Sequence, residues 1–230
     1  MIAAWYRRGG HGVPPDSESL SVDDDGTFHL WRSVGAPAAG RFEGVVDRAV
    51  RDALAAAAYA AAAAGDFTIP DMPGAPTETV IVADRRADVS GGVEVSGAWG
   101  GVIGQLRDLA EELVTMPAAA LGIRVMAGGR SCRLDHLGSD PVTIDTASLR
   151  LDAHLWRGWF EPAGSWSAPV PVLDGGQHLE IGPGWSAELP FDHGLDLGPG
   201  MTLHAAVDVR ITVAGNPIAA GLRWAPMPPR

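Results

Sequence analysis

Residues 201–213 read MTLHAAVDVRITV, and the spacing of their apolar side chains decides the class of the fold. Leu203, Ala205, Val207, Val209, Ile211 and Val213 fall on one face of an extended chain, and Thr202, His204, Ala206, Asp208, Arg210 and Thr212 fall on the other. Ile218, Ala220, Leu222 and Trp224 continue the alternation. Upstream, Leu149, Leu151, Ala153 and Leu155 alternate with Arg150, Asp152, His154 and Trp156; residues 149–159 also admit a helix on spacing alone, with strand the preferred reading. Residues 123–126 and 131–134 flank Gly128-Gly129 as a hairpin, and Gly138-Ser139-Asp140-Pro141 forms a turn before a strand at 142–145. Connections at Pro162-Ala163-Gly164, Asp174-Gly175-Gly176, Pro183-Gly184 and Gly198-Pro199-Gly200 separate the rest. Residues 121–230 therefore predict an antiparallel β-sandwich of about seven to nine strands, immunoglobulin-like in plan.

Residues 1–120 read as a separate α+β domain. Gly40-Arg41-Phe42-Glu43-Gly44-Val45-Val46 and Gly97-Ala98-Trp99-Gly100-Gly101-Val102-Ile103 share the pattern Gly-x-aromatic-x-Gly-Val-(Val or Ile), 57 residues apart. After the first, Val45, Val46, Ala49, Val50, Ala53, Leu54 and Ala57 make an apolar stripe at helical spacing; after the second, Val102, Leu106, Leu109, Ala110 and Leu113 do the same. Pro117 ends the second helix. Ahead of the first motif, Asp23-Asp24-Asp25-Gly26 reads as a hairpin turn between residues 20–22 and 27–34. Ahead of the second, residues 79–83 and 93–96 read as another hairpin, with residues 65–76 as connector. The expectation is an antiparallel sheet carrying two helices, arranged as a duplicated ββα unit. Glycines at each turn could cradle an anion, but neither turn has dinucleotide-loop spacing. The simpler reading is steric, with Phe42 and Trp99 plugging the space between sheet and helix.

Composition removes several functions. The chain of 230 residues contains 36 Ala and 30 Gly, no Lys, and 17 Arg as its entire permanent cation complement, a bias that a GC-rich genome would encode. Without Lys there is no P-loop, no Schiff base and no Lys general base. The formal charge of −11 argues against nucleic acid as a partner. Acidity is concentrated in residues 1–120, with 17 acids and 9 Arg, against 11 acids and 8 Arg in 121–230. Cys132 is the sole cysteine, which excludes an intrachain disulfide and fits a reducing compartment. The longest apolar run, residues 53–64, is shorter than a membrane span. These features together predict a cytoplasmic protein without a membrane segment.

The search for chemistry yields fragments. Asp23-Asp24-Asp25-Gly26 resembles part of a calcium loop, but the spacing would put Arg32 where the bidentate Glu belongs. His154 with Asp152, and His204 with Asp208, each share a strand face and could build a metal or acid–base site if their strands were neighbours. His193 beside Asp192 reads as loop. Cys132 near Arg130 and Arg133 could hold a lowered thiol pKa, although a packed, inert side chain is the simpler reading. Trp156, Trp159, Trp166 and Trp185 lie close in sequence; the simpler reading is that such aromatics fill the sandwich core, and if exposed they are the candidate interface or ligand platform. The expectation is a non-enzymatic protein-interaction, accessory or assembly component that needs no cofactor or metal and engages a protein partner or a second copy. The alternatives are a carbohydrate-binding β-sandwich module and, behind it, a metallohydrolase using His154 or His204.

Overall fold

The structure, a computed structural model, describes the chain except residues 10–16, 36–37, 71–74, 91–92, 127–130, 158–160, 170–172, 174–175, 191–197, 200 and 225–230. It is mostly β, with two helices, and divides into two compact units. The first comprises Met1–Arg32 and Arg41–Pro117; the second comprises Ser33–Gly40 and Ala118–Arg230.

In the first unit, β1 (Ala3–Arg8), β2 (Ser17–Val22) and β3 (Thr27–Arg32) form an antiparallel run. After β4 (Val34–Gly35), whose residues belong to the second unit, β5 (Ala38–Val45) leads to helix α1 (Arg48–Ala64). Then come β6 (Phe67–Thr68), β7 (Thr77–Val82), β8 (Arg85–Ser90) and helix α2 (Gly97–Leu113). The strand order is β5-β3-β2-β1-β7-β8-β6. The β2–β3 turn is the one expected from Asp23–Gly26: the Gly26 amide donates to the Asp23 carbonyl at 2.9 Å, and the Thr27 amide donates to Asp25 Oδ1 at 2.9 Å. That bond holds the Asp25 carboxyl below its ordinary pKa. A turn built around its own carboxylate accounts for the acidic run.

Helix α2 buries all five residues of its expected stripe, along with Trp99 and Ile103. Leu106 alone, fully covered, contributes on the order of 1.5–3 kcal/mol. Helix α1 departs from expectation. Its buried residues are Leu54, Ala58 and Ala61, while Val50 and Tyr59 are exposed, and so are Ala49 and Ala53. Alanine gives so little contrast between faces that the tertiary contacts with α2, β1 and β7 choose the buried side.

Two further expectations are corrected. The second hairpin is tighter than the sequence suggested: Val82 pairs with Arg85 across Ala83 and Asp84, and Ala83 adopts φ 51°. Its return strand is β8, and residues 93–96 are not strand. The paired Gly-x-aromatic-x-Gly motifs have different structures, since the first lies in β5 and the second forms the first turns of α2. The steric role of both aromatics holds. Phe42 and Trp99 are buried, and the Trp99 indole donates to the Gly65 carbonyl at 2.8 Å. Gly100 is required by close approach, because a Cβ there would stand 1.9 Å from the Val95 carbonyl oxygen.

The second unit holds β9 (Pro117–Val125), β10 (Ser131–Gly138), β11 (Val142–Arg157), β12 (Glu161–Pro169), β13 (His178–Ile181), β14 (Ser186–Pro190), β15 (Met201–Val213) and β16 (Asn216–Trp224). One sheet runs β12-β11-β15-β16-β4, with β13 also on β11. β10 pairs antiparallel with both β9 and β14. Residues 149–157 are strand, as preferred from the sequence, within a single β11 of 16 residues. β15 and β16 join through Ala214 and Gly215, both at positive φ, the backbone that a two-residue hairpin turn needs. Pro162-Ala163-Gly164 is not a connection; it lies inside β12, at the edge of its sheet, where a missing proline N–H is tolerated. Val34 and Gly35 add a short parallel pairing to β16. Gly40 approaches β9 so closely that a Cβ would stand 2.3 Å from the Ala119 carbonyl oxygen.

Candidate binding site

On β9 and β10, alternation sorts side chains by face. Leu134 and Ile123 pair on the buried face together with Cys132, while Arg133 pairs with Arg124 on the opposite face. Burial pushes the Cys132 thiol up to about 12, with Glu188 adding to the rise, so the thiol stays protonated and inert at neutral pH. The reading of Cys132 as a packed residue is the one its surroundings support; Arg130 lies outside the described residues.

The polar face opens a cleft of about 480 Å³, lined among others by Arg124, Arg133, Asp135, His136, Gly184 and Trp185. Asp135 bridges the two arginines: its Oδ1 accepts from Arg133 Nε at 2.6 Å, and its Oδ2 lies 3.3 Å from Arg124 Nε. Both guanidiniums therefore engage the carboxylate through Nε, and their terminal nitrogens have no partner among the described residues. The side chains of Arg124 and Arg133 are 55% and 39% exposed, which leaves those nitrogens open to an incoming acceptor. Glu188, opposite Arg133 on β14, accepts from the Ser131 hydroxyl. His136 is buried; its Nε2 lies 2.9 Å from the Asp140 carbonyl oxygen, which assigns the proton to that nitrogen and leaves Nδ1 without a partner among the described residues. The His136 amide donates to the Trp185 carbonyl at 3.0 Å, tying the cleft wall to β10.

Of the candidate tryptophans, Trp156, Trp166 and Trp185 lie among the described residues. Trp166 is opposite Ala153, on the face of β11 that also carries Leu151 and Leu155, which are buried. Trp156 takes the other face, with its ring 6.0 Å from that of His204. Trp185 precedes β14 and lines the cleft. Trp159 lies outside the described residues, as do Asp192 and His193.

The two histidine strands are neighbours: β11 and β15 run antiparallel, with His154 directly opposite His204. Each keeps its expected carboxylate on its own strand face, Asp152 two residues before His154 and Asp208 four after His204. Asp152 is opposite Ala206, and Asp208 is opposite Arg150 while accepting from Arg223 at 2.7 Å. Partial burial, and secondarily the neighbouring His154, hold the His204 pKa below its ordinary value. Among the described residues no three His, Cys, Asp or Glu side chains are grouped to enclose a metal ion. No described helix is long and apolar enough to cross a membrane.

The arginine pair was not singled out by its sequence. The signal was nevertheless present: a hairpin centred on Gly128-Gly129 places Arg124 opposite Arg133, on the face away from Ile123 and Leu134. Comparison with known protein families, with curated proteins and with solved structures finds no match to this chain.

Proposed function

We propose that this protein is a non-enzymatic, intracellular accessory component that docks a partner protein through the Arg124–Arg133 cleft of its second unit. The partner would place an aspartate, glutamate or C-terminal carboxylate between the two guanidiniums. The observation that supports this reading is the bridging of both Nε atoms by Asp135, which holds two guanidiniums on one carboxylate with no hydrogen bond from their terminal nitrogens among the described residues. Planar guanidinium suits a carboxylate in bidentate geometry, and arginine and tryptophan are the side chains that most often anchor protein interfaces. Arg124 and Arg133 are balanced locally by Asp135 and by Glu188 opposite Arg133, so recognition rests on guanidinium geometry and not on a net positive field.

A peptide array carrying acidic segments and free C-termini tests this. The wild-type chain is expected to retain a subset of acidic peptides, and the Arg124→Ala/Arg133→Ala double variant to lose them. Equal retention by both chains would overturn the proposal. The combination of Trp185 with Asp135 and two arginines also suits a sugar ring, through stacking and hydrogen bonds. Saturable binding of a neutral oligosaccharide, lost in Trp185→Ala, would favour that second reading.

A further inference from the structure

His154 and His204 occupy directly opposed positions on β11 and β15. Directly opposed residues of an antiparallel pair have Cβ atoms about 4.5–5.5 Å apart and project to the same face. Two imidazole nitrogens on one ion stand about 2.8 Å apart when cis in a square-planar or tetragonal set and about 3.3 Å apart in a tetrahedral one, given metal–nitrogen bonds of about 2.0–2.1 Å. Two rings leaning together from opposed Cβ positions can meet either spacing without moving the backbone. Both side chains reach solvent, His154 more than His204, so an ion can arrive and keep water in its remaining positions. Trp156 walls one side of the pair, its ring tilted 42° to His204. On the other side, along the same face, lies Asp152, whose charge favours a cation.

We infer that His154 and His204 form a two-imidazole site for a divalent late transition-metal ion, with Cu²⁺, Ni²⁺ and Zn²⁺ as the fitting class. Imidazole is a ligand common to these ions, and Cu²⁺ binds most tightly of the three at a given nitrogen site. Neutral imidazole is the form that coordinates, so binding strengthens as pH rises through the ordinary histidine range. The site binds metal at the strand surface and supplies two ligands; its place on β11 and β15 makes it independent of the Arg124–Arg133 cleft.

Titrating the untagged full-length chain with Cu²⁺ tests the assignment, read by calorimetry and by tryptophan fluorescence. One saturable equivalent is expected, with quenching of Trp156 that a chelator reverses. His154→Ala and His204→Ala should each weaken this binding by roughly tenfold or more, since each removes one of two ligands. Trp156→Phe should keep the stoichiometry and lose most of the quenching, which separates occupation of this site from copper bound elsewhere. Circular dichroism of the histidine variants verifies that they retain the fold. Undiminished Cu²⁺ affinity in both histidine variants, or the absence of saturable binding in the wild type, would overturn the assignment.

Discussion

The two units spend their polar side chains differently. In the first, beside exposed pairs such as Arg48–Asp52 and Arg86–Asp88, two carboxylates are buried against arginine. Glu78, nearly fully buried, accepts from the Trp5 indole at 3.0 Å and from Arg107 Nε at 2.9 Å, tying β1, β7 and α2 together. Buried Arg32 lies 3.0 Å from Glu18 and donates to Glu111 at 3.1 Å, which ties β3 to α2. In the second unit the comparable groups face out: two arginines share one aspartate at the edge of an open cleft, and two histidines face each other on a strand surface. Arg32, buried between Glu18 and Glu111, serves the packing of β3 against α2. An arginine anchored by one nitrogen with the others free can bind something else. The difference fits the proposal that the first set holds the fold and the second forms a recognition face.

The largest effect should come from breaking the inward set. Glu78→Ala strands the Trp5 indole and Arg107 together and should cost about 3 kcal/mol of stability in urea denaturation. Cys132→Ser puts a hydroxyl on the buried face of β10 and should cost about 1–3 kcal/mol. In the wild type the same residue should resist a thiol reagent until the chain unfolds. One position along, Arg133→Ala should change stability by less than about 1 kcal/mol, because it removes only a half-exposed pair. A cost for Arg133→Ala equal to that of Glu78→Ala would erase the distinction between the units.

The smallest effect concerns pH. The folded-state pKa of His204 lies below its ordinary value, so the unfolded chain binds the proton more readily. The contribution is therefore fully present above the ordinary histidine range and is lost as pH falls through it. His204→Gln should flatten the acid limb of the stability curve slightly; a steeper limb in the variant would contradict the sign.

Much of the fold was legible because large apolar side chains mark a face clearly. The alternation in 201–213 and the stripe from Val102 to Leu113 both survive intact in β15 and α2. Where the marker is alanine, as in α1, sequence could name the helix but not its buried side. The repeated glycine motif misled for a related reason: glycine and one aromatic suit a strand passing close to its neighbour and a helix start equally well. Sequence also grouped Trp156 with Trp166 by proximity, whereas strand register assigns them opposite faces. The arginine pair was recoverable only by counting back from a turn, because nothing in the residues Arg124 and Arg133 themselves distinguishes them from solvated surface.

The proposed recognition surface is the open face of β9 and β10. Two-dimensional NMR that resolves the arginine Nε–H and tryptophan indole resonances tests it, during titration with an acidic peptide retained on the array. Arg124, Arg133 and the Trp185 indole should shift together and saturate, while Arg32, Arg107 and the Trp5 indole stay fixed. Shifts confined to the second group, or no saturable shift at Arg124 and Arg133, would contradict the account.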